Sequence, residues 1–156
     1  MKAITSDALD VIDGLIQICK DGQAGFREAA RCIKGTELKT HLSACSIQRA
    51  QFAGELQSAA QGLGEHDPED SGHTAATIHR VWIELKSAIS GNDPYAILAE
   101  CERGEDVAMN AYESALEEYL PADIRQIVEW QAGEVKAAHD RIKALRNALK
   151  NKQTNP

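Results

Sequence analysis

Four polar side chains occupy positions where apolar residues would complete the helical seams of this sequence. They are Gln23, Arg49, Glu105 and Gln131. An arginine and a glutamate inside an apolar core must pair, because a buried charge without a partner is very costly. We therefore expect Arg49 and Glu105 to meet in the interior, directly or through Gln131, Gln23 or one water. The pattern predicts a buried polar layer that fixes helix register. The alternatives are that these residues form a metal or ligand site, or that the core-facing seam of the helices is assigned wrongly.

The elements that must position these side chains are helices. Apolar residues recur at three- and four-residue spacing along most of the chain, and only 4% of the residues are aromatic. Thr5–Ser6 is expected to cap the first helix and Gly35 to end it. Thr36 is expected to cap the second helix, and Asp93 caps a later one that begins with proline. The spacing predicts four long helices of roughly 25–28 residues each.

The connection between the second and third long helices is long enough to return along the molecule. It carries a short helix predicted over residues 74–90. Helices two and three can therefore run parallel, which is the topology of ferritin-like folds. We predict an all-α, ferritin-like four-helix bundle with one long crossover connection carrying a short extra helix. The single domain covers residues 1–156, with a core from about 6 to 149 and a frayed tail at 151–156.

The charge balance restricts the partners of this protein. The chain carries 17 basic and 24 acidic side chains, a net charge of −7, and has no basic block. This composition excludes electrostatic binding of nucleic acid or of an anionic membrane surface. No apolar stretch is long enough for a membrane span or a signal core, so we expect a cytoplasmic protein. Trp130 and Tyr119 favour a homodimer through an exposed aromatic surface.

The cysteines follow the helical pattern and form no metal or redox motif. They are Cys19, Cys32, Cys45 and Cys101. No two of them make the C-x-x-C spacing of zinc ribbons and thioredoxin-like proteins. We expect free and mostly buried thiols.

Five segments of the chain carry a family resemblance. They are CKDGQAGFREAA (19–30), QRAQFAGEL (48–56), HRVWIELKSAI (79–89), ILAECERGEDVAMNAYESAL (97–116) and HDRIKALR (139–146). Together they resemble an uncharacterised bacterial family of the ferritin-like superfamily, known as a domain of unknown function. The resemblance runs from about residue 9 to 147. It implies a ferritin-like four-helix bundle and brings no established activity.

The resemblance also implies where a di-iron site would lie. Di-iron members of the superfamily carry one Glu on each of helices one and three, and Glu-x-x-His on helices two and four. In this sequence those positions are Cys19, Glu105, the segment 48–51 and the segment 131–134. The segments read Gln-Arg-Ala-Gln and Gln-Ala-Gly-Glu, so both histidines and most carboxylates are missing. Arg49 would also repel a cation.

The expected function follows from this degenerate ligand set. We favour a non-enzymatic bundle with no catalytic residue and no cofactor, a binding or structural module for which the resemblance suggests bacterial stress physiology. The alternative is a divergent metal-binding or redox protein with a residual site that holds iron, manganese or zinc. Its candidate ligands are Glu105, Glu134, Cys19 and His139.

Overall fold

The computed structural model describes residues 2–64, 82 and 84–154, and the side chains of these residues between 7 and 152. Within these ranges the protein is helical and contains no strand. The helices are α1 (Lys2–Cys32), α2 (Thr36–Gly62), α3 (Leu85–Ser90), α4 (Pro94–Glu117) and α5 (Ala122–Thr154). The predicted all-α class is confirmed.

The helix ends agree in part with the sequence signals. Asp93 caps α4, because its carboxylate oxygen accepts a hydrogen bond from the backbone N–H of Tyr95 at 3.0 Å. The residue that caps α2 is Gly35 rather than Thr36, with a φ of 107° that only glycine adopts without strain. The predicted cap at Thr5–Ser6 is wrong, since α1 already begins at Lys2.

The predicted tail at 151–156 is helical over its first four residues. The last helix, α5, continues to Thr154 and is 33 residues long. No glycine or proline interrupts the segment Asn151–Thr154, and Lys152 lies in the last turn, where a positive charge favours the helix dipole. The helix therefore ends later than the apolar pattern alone predicts.

Two apolar clusters show how the long helices are arranged. The first contains the early part of α1, the late part of α2, the late part of α4 and the early part of α5. The second contains the late part of α1, the early parts of α2 and α4, and the late part of α5. Thus α2 and α4 run in the same direction, and α1 and α5 run against them. The buried polar layer lies where the two clusters meet.

A tryptophan packs against two of the long helices. The indole of Trp82 lies over Gly25 of α1 and Gly104 of α4, where a Cβ on Gly104 would come within 2.6 Å of the ring. Its ring also meets that of Phe26 edge to face, with centroids 5.3 Å apart. Of the short helix predicted over 74–90, the structure describes Leu85–Ser90 as helical. Residues 74–81 and 83 lie outside the described residues.

None of the helices in the described ranges has both the length and the apolar character needed to cross a lipid bilayer.

Candidate functional site: a buried polar layer

An ion pair lies at the centre of the molecule. Arg49 of α2 donates from Nη1 to Oε1 of Glu105 at 2.5 Å and from Nη2 to Oε2 at 2.6 Å. Both side chains are 1% exposed. This two-pronged arrangement is the strongest geometry for an arginine and a carboxylate, because both oxygens accept charge-assisted hydrogen bonds. The two residues that the sequence analysis expected to meet are in direct contact.

Aromatic and small residues enclose the guanidinium. The Arg49 Cζ atom lies 5.4 Å from the ring centroid of Phe26, within the range of a cation–π contact. On the α1 side, a Cβ on Gly22 would approach the Arg49 Cγ to 3.2 Å, so glycine leaves room for the arginine stem. The ring of Trp82 packs edge to face with that of Phe26. The charges are therefore enclosed by protein on these sides.

A second set of polar contacts lies near the ion pair and reaches the surface at Glu55. Tyr112 of α4 donates its hydroxyl to Gln131 Oε1 at 2.7 Å, and its oxygen lies 3.2 Å from the Cys19 sulfur. Gln131 donates from Nε2 to the exposed carboxylate of Glu55 at 3.1 Å. The buried polar layer of the structure thus consists of Cys19, Arg49, Glu105, Tyr112 and Gln131. Each of the four long helices contributes to it.

The pKa values of this layer reflect burial and pairing. Desolvation raises the pKa of Glu105, and the charge and hydrogen bonds of Arg49 offset part of this rise. For Arg49, burial acts to lower the pKa, but the Glu105 carboxylate more than compensates, and the pKa is raised. Arg49 therefore stays charged at every physiological pH.

The thiols and the phenol of the interior are held in their neutral forms. Burial raises the pKa of Cys19 to about 11 and that of Cys45 to about 12. Burial also raises the pKa of Tyr112 and that of Cys101. A thiol is nucleophilic as its thiolate, so these cysteines are unreactive at neutral pH. All four cysteines of the chain are free, and Cys32 is the half-buried one.

Gln23 is a correction to the expected layer. Its side chain is half-buried, and it is the backbone carbonyl of Gln23 that accepts a hydrogen bond from the Ser46 hydroxyl at 2.8 Å. The inward position one turn earlier on α1 belongs to Cys19, which is fully buried. The sequence analysis missed Tyr112, although it lies on the seam seven residues after Glu105 and so faces the same way.

Cys19 lies in the buried polar layer, whereas the candidate metal ligands Glu134 and His139 make their contacts outside it. Glu134 is half-buried and lines a cleft of about 340 Å³ between α2 and α5, together with His41, Gln48 and Arg141. His139 of α5 faces α4 with a side chain that is 12% exposed, and its Nε2 is 2.7 Å from a carboxylate oxygen of Asp106. The four candidates Glu105, Glu134, Cys19 and His139 therefore do not converge on one point.

The residues in the layer do not fit a metal ion as they stand. Both oxygens of Glu105 are occupied by Arg49, whose charge lies where a cation would bind. In the part of the chain that the structure describes, no group of three or more His, Cys, Asp or Glu side chains is arranged to hold a metal. Carboxylate sites for iron or manganese need several oxygen ligands around one point.

Comparison with known proteins places the chain in a family. Residues 7–118 match the family described as a domain of unknown function (DUF2383), which covers more than two thirds of the chain. The match includes most of α1, all of α2 and α4, and the buried polar side chains that these helices contribute. A search of curated protein sequences found no match. The chain belongs to the DUF2383 family of domains of unknown function.

Proposed function

We propose that this protein is a ferritin-like four-helix bundle in which the Arg49–Glu105 ion pair occupies the place of a di-iron centre. The supporting observation is the two-pronged pair itself, with both side chains 1% exposed at the middle of four long helices. A guanidinium supplies the positive charge that metal ions supply in the di-iron members of the superfamily. The parallel direction of α2 and α4 supports the ferritin-like topology.

The role that follows is a non-enzymatic binding or structural module. The groups in the layer that could act as nucleophiles or bases are neutral thiols, a neutral phenol and a carboxylate engaged by Arg49. Acid–base catalysis needs a group that is free to exchange a proton near neutral pH, whereas the thiol and the phenol are held neutral and both oxygens of Glu105 are engaged by Arg49. A cytoplasmic location and a role in bacterial stress physiology belong to the same proposal, on the strength of the sequence resemblance.

Metal analysis of the untagged protein tests this proposal. The purified chain, and the chain incubated anaerobically with iron(II), manganese(II) or zinc(II), should contain much less than one metal ion per molecule after desalting. Glu105→Ala should leave this content unchanged. The matched controls are Glu134→Ala and His139→Ala, which remove the outlying candidate ligands.

The alternative function makes the opposite prediction in the same experiment. Stoichiometric metal that disappears in Glu105→Ala would contradict the charge-substitution proposal and establish a residual carboxylate site. Stoichiometric metal that disappears in His139→Ala or Glu134→Ala instead would place the site outside the buried polar layer, and would equally contradict a metal-free module.

A homodimer is part of the proposal as well. Tyr119 is 67% exposed and Trp130 is 56% exposed. The rings of Trp130 and Phe52 pack edge to face, with centroids 5.5 Å apart. Large exposed aromatic side chains are enriched at protein interfaces. Sedimentation of wild type should give twice the 17.0 kDa chain mass. Trp130→Ser should give the monomer, and a wild-type monomer at tens of micromolar would contradict the dimer.

A further inference from the structure

A groove between α1 and α4 has an apolar floor and an acidic rim. Val11 and Ile18 of α1 and Ala111 of α4 form part of the floor, and Asp10 and Glu118 stand at the edges. The cavity measures about 350 Å³. From Asp10 to Ile18 the groove follows eight residues of helix, which is about 12 Å or two turns.

Small residues keep this groove open. Gly14 lies in the middle of the α1 wall, and a Cβ built on it would meet nothing within 4 Å. Across from it, the α4 wall carries Ala111 and Ser114. Small residues on a helix surface let another helix approach closely. The shape therefore suits a helix lying along the groove, with side chains that reach the apolar floor.

The charged side chains that line the groove, Asp10 and Glu118, are both acidic. Arg125 of α5 lies at one end, where it donates to the backbone carbonyls of Leu116 and Glu118. Residues 7–18 and 106–121 contain no lysine or arginine. The acidic side chains of these two stretches are Asp7, Asp10, Asp13, Asp106, Glu113, Glu117 and Glu118. A second copy of this chain docked groove to groove would place the Asp10 and Glu118 carboxylates of the two copies near each other, which costs free energy. An occupant with basic side chains would be attracted to the same surface.

We propose that the groove between α1 and α4 binds an amphipathic helix of a partner protein that carries lysine or arginine on both sides of an apolar stripe. Apolar residues at i, i+3, i+4 and i+7 of that helix would cover the floor around Gly14, and its basic residues would face Asp10 and Glu118. This inference rests on the proposed role as a binding module and names the class of its partner.

A synthetic helix tests the groove. The probe is a fluorescently labelled, amidated peptide of about 18 residues, with leucines in one stripe and lysines on both flanks. Fluorescence anisotropy should give a micromolar Kd at low salt that weakens as salt is added. A peptide of the same composition, scrambled so that the leucines no longer share a face, should bind at least about tenfold more weakly.

Three variants of the protein separate groove binding from general charge attraction. Asp10→Lys/Glu118→Lys should weaken binding of the peptide by about tenfold or more. Glu37→Lys/Glu84→Lys changes the net charge equally at two exposed positions near the other end of the helices, and should weaken binding much less. Gly14→Leu leaves the net charge unchanged and fills the groove, so it should also weaken binding. It should fold, because leucine favours a helix more than glycine does.

Three outcomes would overturn the inference. They are no binding by wild type at high micromolar concentration, equal weakening in the two charge-reversed proteins, and unchanged affinity in a Gly14→Leu protein with a wild-type circular dichroism spectrum. None of these results depends on metal content. The binding groove and the metal-free polar layer are therefore tested independently.

Discussion

The interior and the surface of this protein each contain an arginine that donates hydrogen bonds to a glutamate from two of its nitrogens. Inside, Arg49 and Glu105 are each 1% exposed. On the outside of α1, Arg31 donates to Glu28 from Nη2 at 2.5 Å and from Nε at 3.2 Å, with side chains 69% and 46% exposed. Both are arginine–glutamate ion pairs in which each carboxylate oxygen accepts one hydrogen bond from the arginine. They differ in whether water is available to either partner.

This difference decides what each pair does for the fold. When an exposed pair is broken, water solvates both groups, and the contact contributes little. When a buried pair is broken, the remaining charge has no solvent and no partner. The buried pair is therefore a constraint on how the four long helices meet more than a source of net stability.

The largest effect should come from removing one member of the buried pair. Arg49→Met or Glu105→Leu alone should lower the free energy of unfolding by about 3–5 kcal/mol, because each leaves an unpaired buried charge. The double variant should lose much less than the sum, since it buries no charge. Urea denaturation of the four proteins closes the cycle. Additive losses would show that the two charges do not depend on each other.

The next effect tests the packing of Trp82 against α4. Gly104→Ala would force its Cβ to within 2.6 Å of Trp82, so we expect a loss of about 1–3 kcal/mol from overpacking. Gly54→Ala is the matched control on α2, because a Cβ there meets nothing within 4 Å and alanine favours the helix. Thermal unfolding should lower the Tm of the first variant and raise that of the second. Equal shifts would contradict the packing of Trp82 on Gly104.

A third effect distinguishes the interior from the surface by pH. Burial raises the pKa of Cys19 to about 11 in the folded protein, against 9.0 for a thiol in water. Above pH 9 the unfolded chain loses this proton first, so the stabilisation is complete below pH 9 and is lost as the pH rises toward about 11. The slope should approach about 1.4 kcal/mol per pH unit for this thiol.

Urea denaturation in reducing buffer at pH 8, 9 and 10 measures this slope. Cys19→Ala should make it shallower than in wild type. Cys32→Ala, which removes a half-buried thiol near Glu28, is the matched control. If Cys19→Ala and Cys32→Ala change the slope equally, burial of Cys19 is not its cause.

The smallest effect belongs to the surface pair. Glu28→Gln should leave the midpoint of urea denaturation unchanged within error, and raising the salt concentration should not alter that result. A loss comparable to that of Glu105→Leu would remove the contrast between the two pairs.

The sequence predicts the helices better than it predicts the contents of their interior. Arg49 and Glu105 could be paired in advance because both interrupt apolar seams at the same level, and a buried charge demands an opposite one. Gln23 was placed with them by spacing, but a helix seam is wide, and a small rotation puts Cys19 inside and Gln23 at the edge. Seam periodicity does not resolve such a rotation.

The contacts of Trp82 also lay beyond the sequence analysis. Gly25 and Gly104 are far apart in the chain, and the structure shows that both leave space for the indole of Trp82. A glycine in a helix indicates a close approach without saying by what. The polar character of the layer was thus predictable from local patterns, whereas its packing depends on contacts between distant segments.

The buried ion pair has a consequence for the history of the sequence. A substitution at position 49 or position 105 alone leads through a protein with an uncompensated interior charge, while a joint replacement by apolar residues avoids that penalty. Drift at these two sites should therefore proceed in paired steps. Across descendants of a common ancestor, arginine at one position should co-occur with a carboxylate at the other, and lineages that have lost one should have lost both.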